Sequence, residues 1–313
     1  MIENILLLVV GFFLLVKGAD FLVSGASSIA KKFHIPSLII GLTIVAIGTS
    51  MPELVVSTFS ALEGHSDIAM GNVVGSNLAN LLFILGLCAV IKPLEFKRQT
   101  KFIDNFIAIL ATIILFVFSY DNLVTRTEGI ILAIGCLGFI AYNIFMALKH
   151  KGEEDENEEE IKLMSVWKAA IFIVIGIIGL KFGGDFVVTG ASAIAKLIGI
   201  SERIIGLTIV AFSTSLPELI TSVTATRKGE VDMGIGNILG SQIFNIFLII
   251  GTSAIITPIT YAVSYNLDMV VLLLSSIIFA LFPFVGQKDK MAQIEGVVFL
   301  VIYIYYIMHL VMA

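Results

Sequence analysis

Charge is scarce in this chain. Lys, Arg, Asp and Glu make up 14% of its 313 residues, hydrophobic residues make up 58%, and mean hydropathy is +1.03. Soluble domains are roughly one quarter charged, and no core is large enough to explain the deficit, so a soluble class is excluded. Cysteine is almost missing: only Cys88 and Cys136 are present, both inside apolar runs. Two such thiols build neither a disulfide framework nor a thiolate metal site. Basic residues are missing ahead of the first apolar run, which begins behind Glu3, so no cleavable signal is expected. Strict alternation of polar and apolar residues is missing too. This excludes barrel strands, which would be about ten residues long and alternate. The net charge of −5 comes mainly from the run Glu153–Glu160; it says little about partners, and no nucleic-acid partner is expected.

Ten apolar runs are present, at about 4–24, 36–62, 68–91, 102–119, 127–148, 166–188, 203–226, 232–257, 267–285 and 291–312. Each approaches or exceeds the roughly 20 residues that a helix needs to cross a hydrocarbon core of about 30 Å. The fold class is therefore an all-α polytopic membrane protein with ten transmembrane helices and the lipid bilayer as its solvent. With the N-terminus outside, fourteen Lys and Arg residues fall in inward loops. Only Arg126, Lys196 and Arg203 fall in outward ones. The positive-inside rule then predicts both termini outside, the acidic segment 149–165 in the cytoplasm, and a plasma-membrane location.

The chain repeats itself. "GLTIVAIGTSMPELVVS" at Gly41–Ser57 returns as "GLTIVAFSTSLPELITS" at Gly206–Ser222. At this offset of 165 residues, 21 of the 46 positions in 41–86 match those in 206–251. The matches include Thr, Ser, Pro, Glu, Asn and Gly, which bilayer solubility does not demand, so this is a duplication. Five spans separate equivalent positions. Five is odd, so the second copy enters the membrane inverted. The predicted organisation is a first five-helix repeat at 1–150, an acidic linker at 151–165 and a second repeat at 166–313. Inverted repeats mark secondary transporters, whose sites lie near the midplane where the repeats meet.

Each copy places a proline within a span, Pro52 and Pro217, just after small residues. A break or kink is expected there, with carbonyl oxygens freed. Glu53 and Glu218 follow directly. A mid-span carboxylate is costly and marks function, and neither span has a Lys or Arg at nearby depth. Thr49 and Glu53 share a helix face, as do Thr214 and Glu218, if the helix continues through the break. Ser50 and Ser215 add hydroxyls. The next span of each copy carries a polar stripe, Asn72/Ser76/Asn80 and Asn237/Ser241/Asn245, beside the close-packing pairs Gly71/Gly75 and Gly236/Gly240. Interhelical hydrogen bonding is an equal reading for Asn72 and Asn237. The donor set is all oxygen, with no His or Cys. Calcium accepts six to eight irregular oxygen ligands, whereas magnesium demands a tight octahedron, and softer metals prefer nitrogen or sulfur. Two carboxylates balance one Ca²⁺, and sodium suits the same oxygens. A site that cations must neutralise before it crosses the bilayer follows an antiporter's logic.

"GTSMPE" and "GSNLAN" in the first copy, and "STSLPE" and "GSQIFN" in the second, resemble the two α-repeats of sodium/calcium exchangers, within the calcium/cation antiporter superfamily. The resemblance is most specific over 38–86 and 203–251. It implies calcium binding by Glu53 and Glu218 with Thr49 and Thr214, and calcium and sodium sites lined by Ser50, Ser215, Ser76, Ser241 and Asn80. It also implies backbone carbonyls lent by Ala46 and Ala211, and spans 1 and 6 sliding across a rigid core. Two positions depart from the family pattern. Several relatives have aspartate where this chain has Asn245, a difference associated with potassium dependence, so potassium-independent exchange is expected. Ser213 stands in place of the glycine found at Gly48.

The expectation is thus a sodium/calcium antiporter working as a monomer, not an enzyme, with no cofactor beyond the transported ions. The closest rival is a proton/calcium exchanger using the same glutamates; a channel ranks lower. An intramembrane aspartyl protease, suggested by "FGGDF" at Phe182–Phe186, would need Asp185 and Asp20 to share a proton and leaves the duplicated proline–glutamate motifs unexplained. Lys17 with Asp20, and Lys181 with Asp185, are expected to pair or to snorkel towards an interface. The acidic linker is read as solvated, and Tyr303, Tyr305 and Tyr306 as anchoring and packing residues.

Overall fold

A computed structural model describes residues 2–149, 163–199, 211–285 and 287–312. The acidic run, Arg203 and the first part of the predicted span 203–226 lie outside them. Helix α1 is Ile2–Phe33. Helices α2, Ser37–Thr49, and α3, Met51–Leu62, form one span bent by 46°. There follow α4 (Ile68–Ile91), α5 (Thr100–Phe118), α6 (Arg126–Lys149) and α7 (Val166–Leu197). The short α8 (Ala211–Ser213) precedes α9 (Leu216–Arg227). The chain ends with α10 (Val231–Ile256), α11 (Tyr265–Phe284) and α12 (Gln293–Met312).

Helices α1 and α7 outrun the apolar stretches that announced them, each reaching 32 residues. At 1.5 Å per residue that is about 48 Å, well beyond the hydrocarbon core. The polar residues that ended the apolar count are absorbed by packing: Ser27 and Ser28 are buried, and Ser28 Oγ accepts from the Met164 amide at 2.8 Å.

The two long helices pack along a seam of glycines. A Cβ on Gly18 would lie 2.8 Å from Leu180 N and 2.9 Å from Gly176 O. One on Gly11 would lie 2.9 Å from Gly183 O, and one on Gly25 2.7 Å from Ala169 O. The facing residue numbers fall as α1 rises, so the helices are antiparallel. Gly11, Gly18 and Gly25 recur 165 residues later as Gly176, Gly183 and Gly190. The seam is therefore made of one helix and its own inverted copy.

Four two-residue strands give the same answer. Strand β1 (Leu94–Glu95) pairs antiparallel with β4 (Lys290–Met291), Leu94 opposite Met291. Strand β2 (Leu123–Val124) pairs with β3 (Ile259–Thr260), Val124 opposite Ile259. β1 and β3 are equivalent at the 165-residue offset, yet they sit in different pairs. An odd number of crossings separates β1 from β3, and an even number separates β1 from β4, so the pairs cap opposite faces. The β1–β4 face also carries ion pairs Lys97–Asp232 (3.6 Å), Lys290–Glu95 (2.8 Å) and Lys101–Asp289 (2.5 Å). The hydrogen bond from Lys101 holds the exposed Asp289 carboxyl below its ordinary range.

The core lies around α4 and α10, whose spans are 72% and 83% buried, while the α12 span is 11% buried and faces outward. Gly236 and Gly240 let α10 press against α2, a Cβ at Gly236 falling 2.5 Å from Leu38 O and one at Gly240 2.6 Å from the Ala46 Cβ. These ten spans, nine of them described over most of their length, form an all-α membrane fold of two inverted five-helix repeats.

One expected pairing is corrected. Asp20 pairs with Lys228, beyond the end of α9, and not with Lys17; Lys228 Nζ also donates to Ser24 Oγ at 2.8 Å. A cation that arrives from another helix end reaches Asp20 across the α1–α9 contact. Lys181 does pair with Asp185, at 3.1 Å.

Candidate cation site

The bend between α2 and α3 falls at Ser50, whose φ of −83° and ψ of 6° leave the helical region. Ser215 has nearly the same geometry, φ −84° and ψ 1°, ahead of α9. Pro52 and Pro217 sit in the first turn of the helix that follows, where a missing N–H costs nothing. Each glutamate therefore sits in the first turn of a half-helix, near the positive end of its dipole.

Both carboxylates are fully buried. Around them the two repeats exchange hydrogen bonds. Thr49 Oγ1 donates to Asn237 Oδ1 at 3.0 Å, and Asn237 Nδ2 donates to Ser222 Oγ at 2.9 Å. The inverted equivalent is complete: Thr214 Oγ1 donates to Asn72 Oδ1 at 3.2 Å, and Asn72 Nδ2 to Ser57 Oγ at 3.0 Å. Asn72 and Asn237 thus cross-link the repeats, in line with their reading as interhelical bonds. Ser57 and Ser222, the last links, were not singled out from the sequence, although both repeat at the 165-residue offset.

The carboxylates themselves differ. Ser50 Oγ lies 3.0 Å from both Glu218 Oε1 and Ser241 Oγ. Ser76 Oγ lies 3.4 Å from Thr214 Oγ1. Glu53 Oε1 and Oε2, Glu218 Oε2, Ser215 Oγ, Asn80 Oδ1 and Nδ2, and Asn245 Oδ1 are buried with no hydrogen-bond partner. Such groups are rare because each carries its full desolvation cost. Six of these atoms are oxygens with lone pairs to offer, from both repeats. Among the described residues no group of three or more His, Cys, Asp or Glu side chains gathers, so the two glutamates supply the formal charge.

Ala46 is fully buried, and its carbonyl accepts from the Ser50 amide at 3.0 Å and lies 3.2 Å from Thr49 Oγ1. The carbonyl that loses its i→i+4 donor through the proline is that of Gly48. Ala211 opens α8. Asn80 and Asn245 stand at wide, π-type turns, Ala79–Ile84 and Asn245–Ile250, and such turns gather at functional sites.

The aspartyl-protease reading fails on geometry. In the antiparallel α1–α7 pair, Asp20 and Asp185 are offset by eleven residues of helix, roughly 16 Å. Each is held by a different lysine.

A family model described as sodium/calcium exchanger protein matches residues 3–145 and 168–312. The chain belongs to the sodium/calcium exchanger family. Among curated relatives, the sodium/calcium exchanger MaX1 of Methanosarcina acetivorans is 31% identical over 96% of both chains. The putative antiporter CaxA of Alkalimonas amylolytica is 36% identical over 98% of both. Among solved structures, the sodium–calcium exchanger NCX_Mj, soaked with sodium and without calcium, superposes with a TM-score of 0.85 at 31% identity over 98% of both chains. Members of this exchanger family are transporters, not enzymes, and their substrates are the ions.

Proposed function

We propose that this exchanger carries sodium in one direction and calcium in the other by alternating access, independently of potassium, at a site formed by Glu53, Glu218, Thr49, Thr214, Ser50, Ser215, Ser76, Ser241, Asn80 and Asn245, with the backbone carbonyls of Ala46 and Ala211. The observation that carries the reading is the set of buried, unpartnered oxygens drawn from both inverted repeats around two carboxylates. Two negative charges match one Ca²⁺ or two Na⁺, and flexible all-oxygen coordination suits calcium. Helices α1 and α7 are the moving pair in this reading, their glycine seam holding them together as one body. The exchanger works as a monomer in the plasma membrane, with both termini outside and residues 149–165 in the cytoplasm.

Purified protein in vesicles loaded with sodium is expected to take up calcium on dilution into sodium-free medium. Uptake driven by a proton gradient alone, without response to sodium, moves the assignment to proton/calcium exchange.

Potassium independence rests on Asn245, whose amide offers one carbonyl oxygen but no charge. Replacing potassium by choline is expected to leave wild-type flux unchanged. Asn245→Asp adds a third carboxylate beside Glu53 and Glu218. Three such groups resist simultaneous ionisation, so flux in this variant is expected to respond to potassium or to pH. Wild-type flux that stops without potassium refutes the assignment of Asn245.

A further inference from the structure

The two asparagines at the wide turns are equivalent by repeat, yet the structure treats them differently. Asn245 Nδ2 donates to Asn77 Oδ1 at 2.9 Å, across the junction between α10 and α4. Asn245 Oδ1 is then the end left without a partner. An amide can present either end to its surroundings, and only the oxygen binds a cation. Asn245 follows Ser241 by one turn of α10, and Ser241 touches Ser50, which touches Glu218.

In the other copy the arrangement is absent. The residue equivalent to Asn77 is Gln242. Its Nε2 donates to Ser276 Oγ at 3.0 Å, and both ends of the Asn80 amide lack a partner. Asn77 is itself fully buried, and its Nδ2 lies 3.4 Å from Gln242 O. That contact fixes which end of the Asn77 amide meets Asn245.

We propose that Asn77 is a positioning residue that locks the amide of Asn245 with its carbonyl oxygen turned to the transported cation, and that the second copy of the repeat lacks this device. The proposal rests on the exchange reading above. It makes the site functionally lopsided: Asn245 is pre-oriented before an ion arrives, whereas Asn80 is oriented by the ion.

The test is calcium binding by calorimetry on purified, monodisperse protein, alongside sodium-driven calcium uptake. Asn77→Leu keeps volume but removes the acceptor, and is expected to weaken calcium binding about tenfold, the worth of one buried hydrogen bond, while changing maximal uptake less. Asn77→Gln, which installs the residue tolerated at the same register in the other copy, is expected to act in the same direction and serves if the leucine variant does not fold. Gln242→Leu is expected to leave binding within about twofold of wild type. In an Asn245→Asp background either oxygen of the side chain can face the cation, so the orientation of an amide no longer matters. There Asn77→Leu is expected to lose its effect on affinity. Wild-type affinity in both Asn77 variants overturns the proposal, as does an equal penalty in the Asn245→Asp background. Absence of sodium-driven uptake in the wild type refutes the exchange reading instead, and the binding series still decides the role of Asn77.

Discussion

Glu53→Gln and Glu218→Gln are each expected to remove most calcium exchange. Glutamine keeps the shape and one oxygen of the side chain but not the charge. Both carboxylates are fully buried, so a Ca²⁺ that enters against one remaining negative charge loses its water without full compensation. Removing one partner of a buried charge pair costs about 3–5 kcal/mol, at least a hundredfold in affinity. The ion-free protein is expected to respond differently. Glu53 has no hydrogen-bond partner for either carboxylate oxygen, so a neutral amide there breaks no bond. In calcium-free buffer Glu53→Gln is expected to melt no lower than wild type, and to gain much less stability when calcium is added. Calorimetric binding, vesicle flux and thermal melting measure the three parts. Near-normal exchange by either correctly assembled variant refutes the charge count.

Gly18→Val is expected to abolish assembly. The atoms that an added Cβ would meet at 2.8 and 2.9 Å are Leu180 N and Gly176 O, both backbone, so no side chain can rotate away. The two long helices would have to separate, and every contact of the seam loosens together. Overpacking against a side chain costs about 1–3 kcal/mol; displacing a backbone along a shared seam costs more. Gly138→Val is the control, since nothing among the described residues lies within 4 Å of that position. Size-exclusion profiles and melting temperatures of the two variants make the comparison. Equal behaviour shows that the seam does not need glycine.

Much of the fold was legible because membranes impose long apolar runs, and duplication writes the inversion into the spacing. The candidate site was legible because a carboxylate at mid-span is costly and marks a functional position. What escaped has physical reasons. The helices α1 and α7 overran their expected ends because serines that break an apolar count do not break a helix when a partner helix buries them. The heptad spacing of Gly11, Gly18 and Gly25 was visible, but glycine is common in membrane helices, and only the facing glycines of α7 show what it does. Asp20 was matched to Lys17 because helical neighbours are all that one sequence displays; Lys228 lies 208 residues away. Asn77 carried no signal of its own beside an identical chemical type three residues later.

The tie from Lys228 to Asp20 and Ser24 has a consequence for the direction of traffic. Its counterpart at the other end of the molecule would join Glu63 to Asp185, two acids, and Asp185 is bound to Lys181 instead. On the proposed alternating-access reading, a bond that breaks at one surface has no equivalent to form at the other, so the two resting postures are expected to differ in energy and the outbound and returning strokes to climb different barriers. An otherwise symmetric machine acquires a preferred idle position from one lysine, much as a swing door hung with a single spring comes to rest on one side.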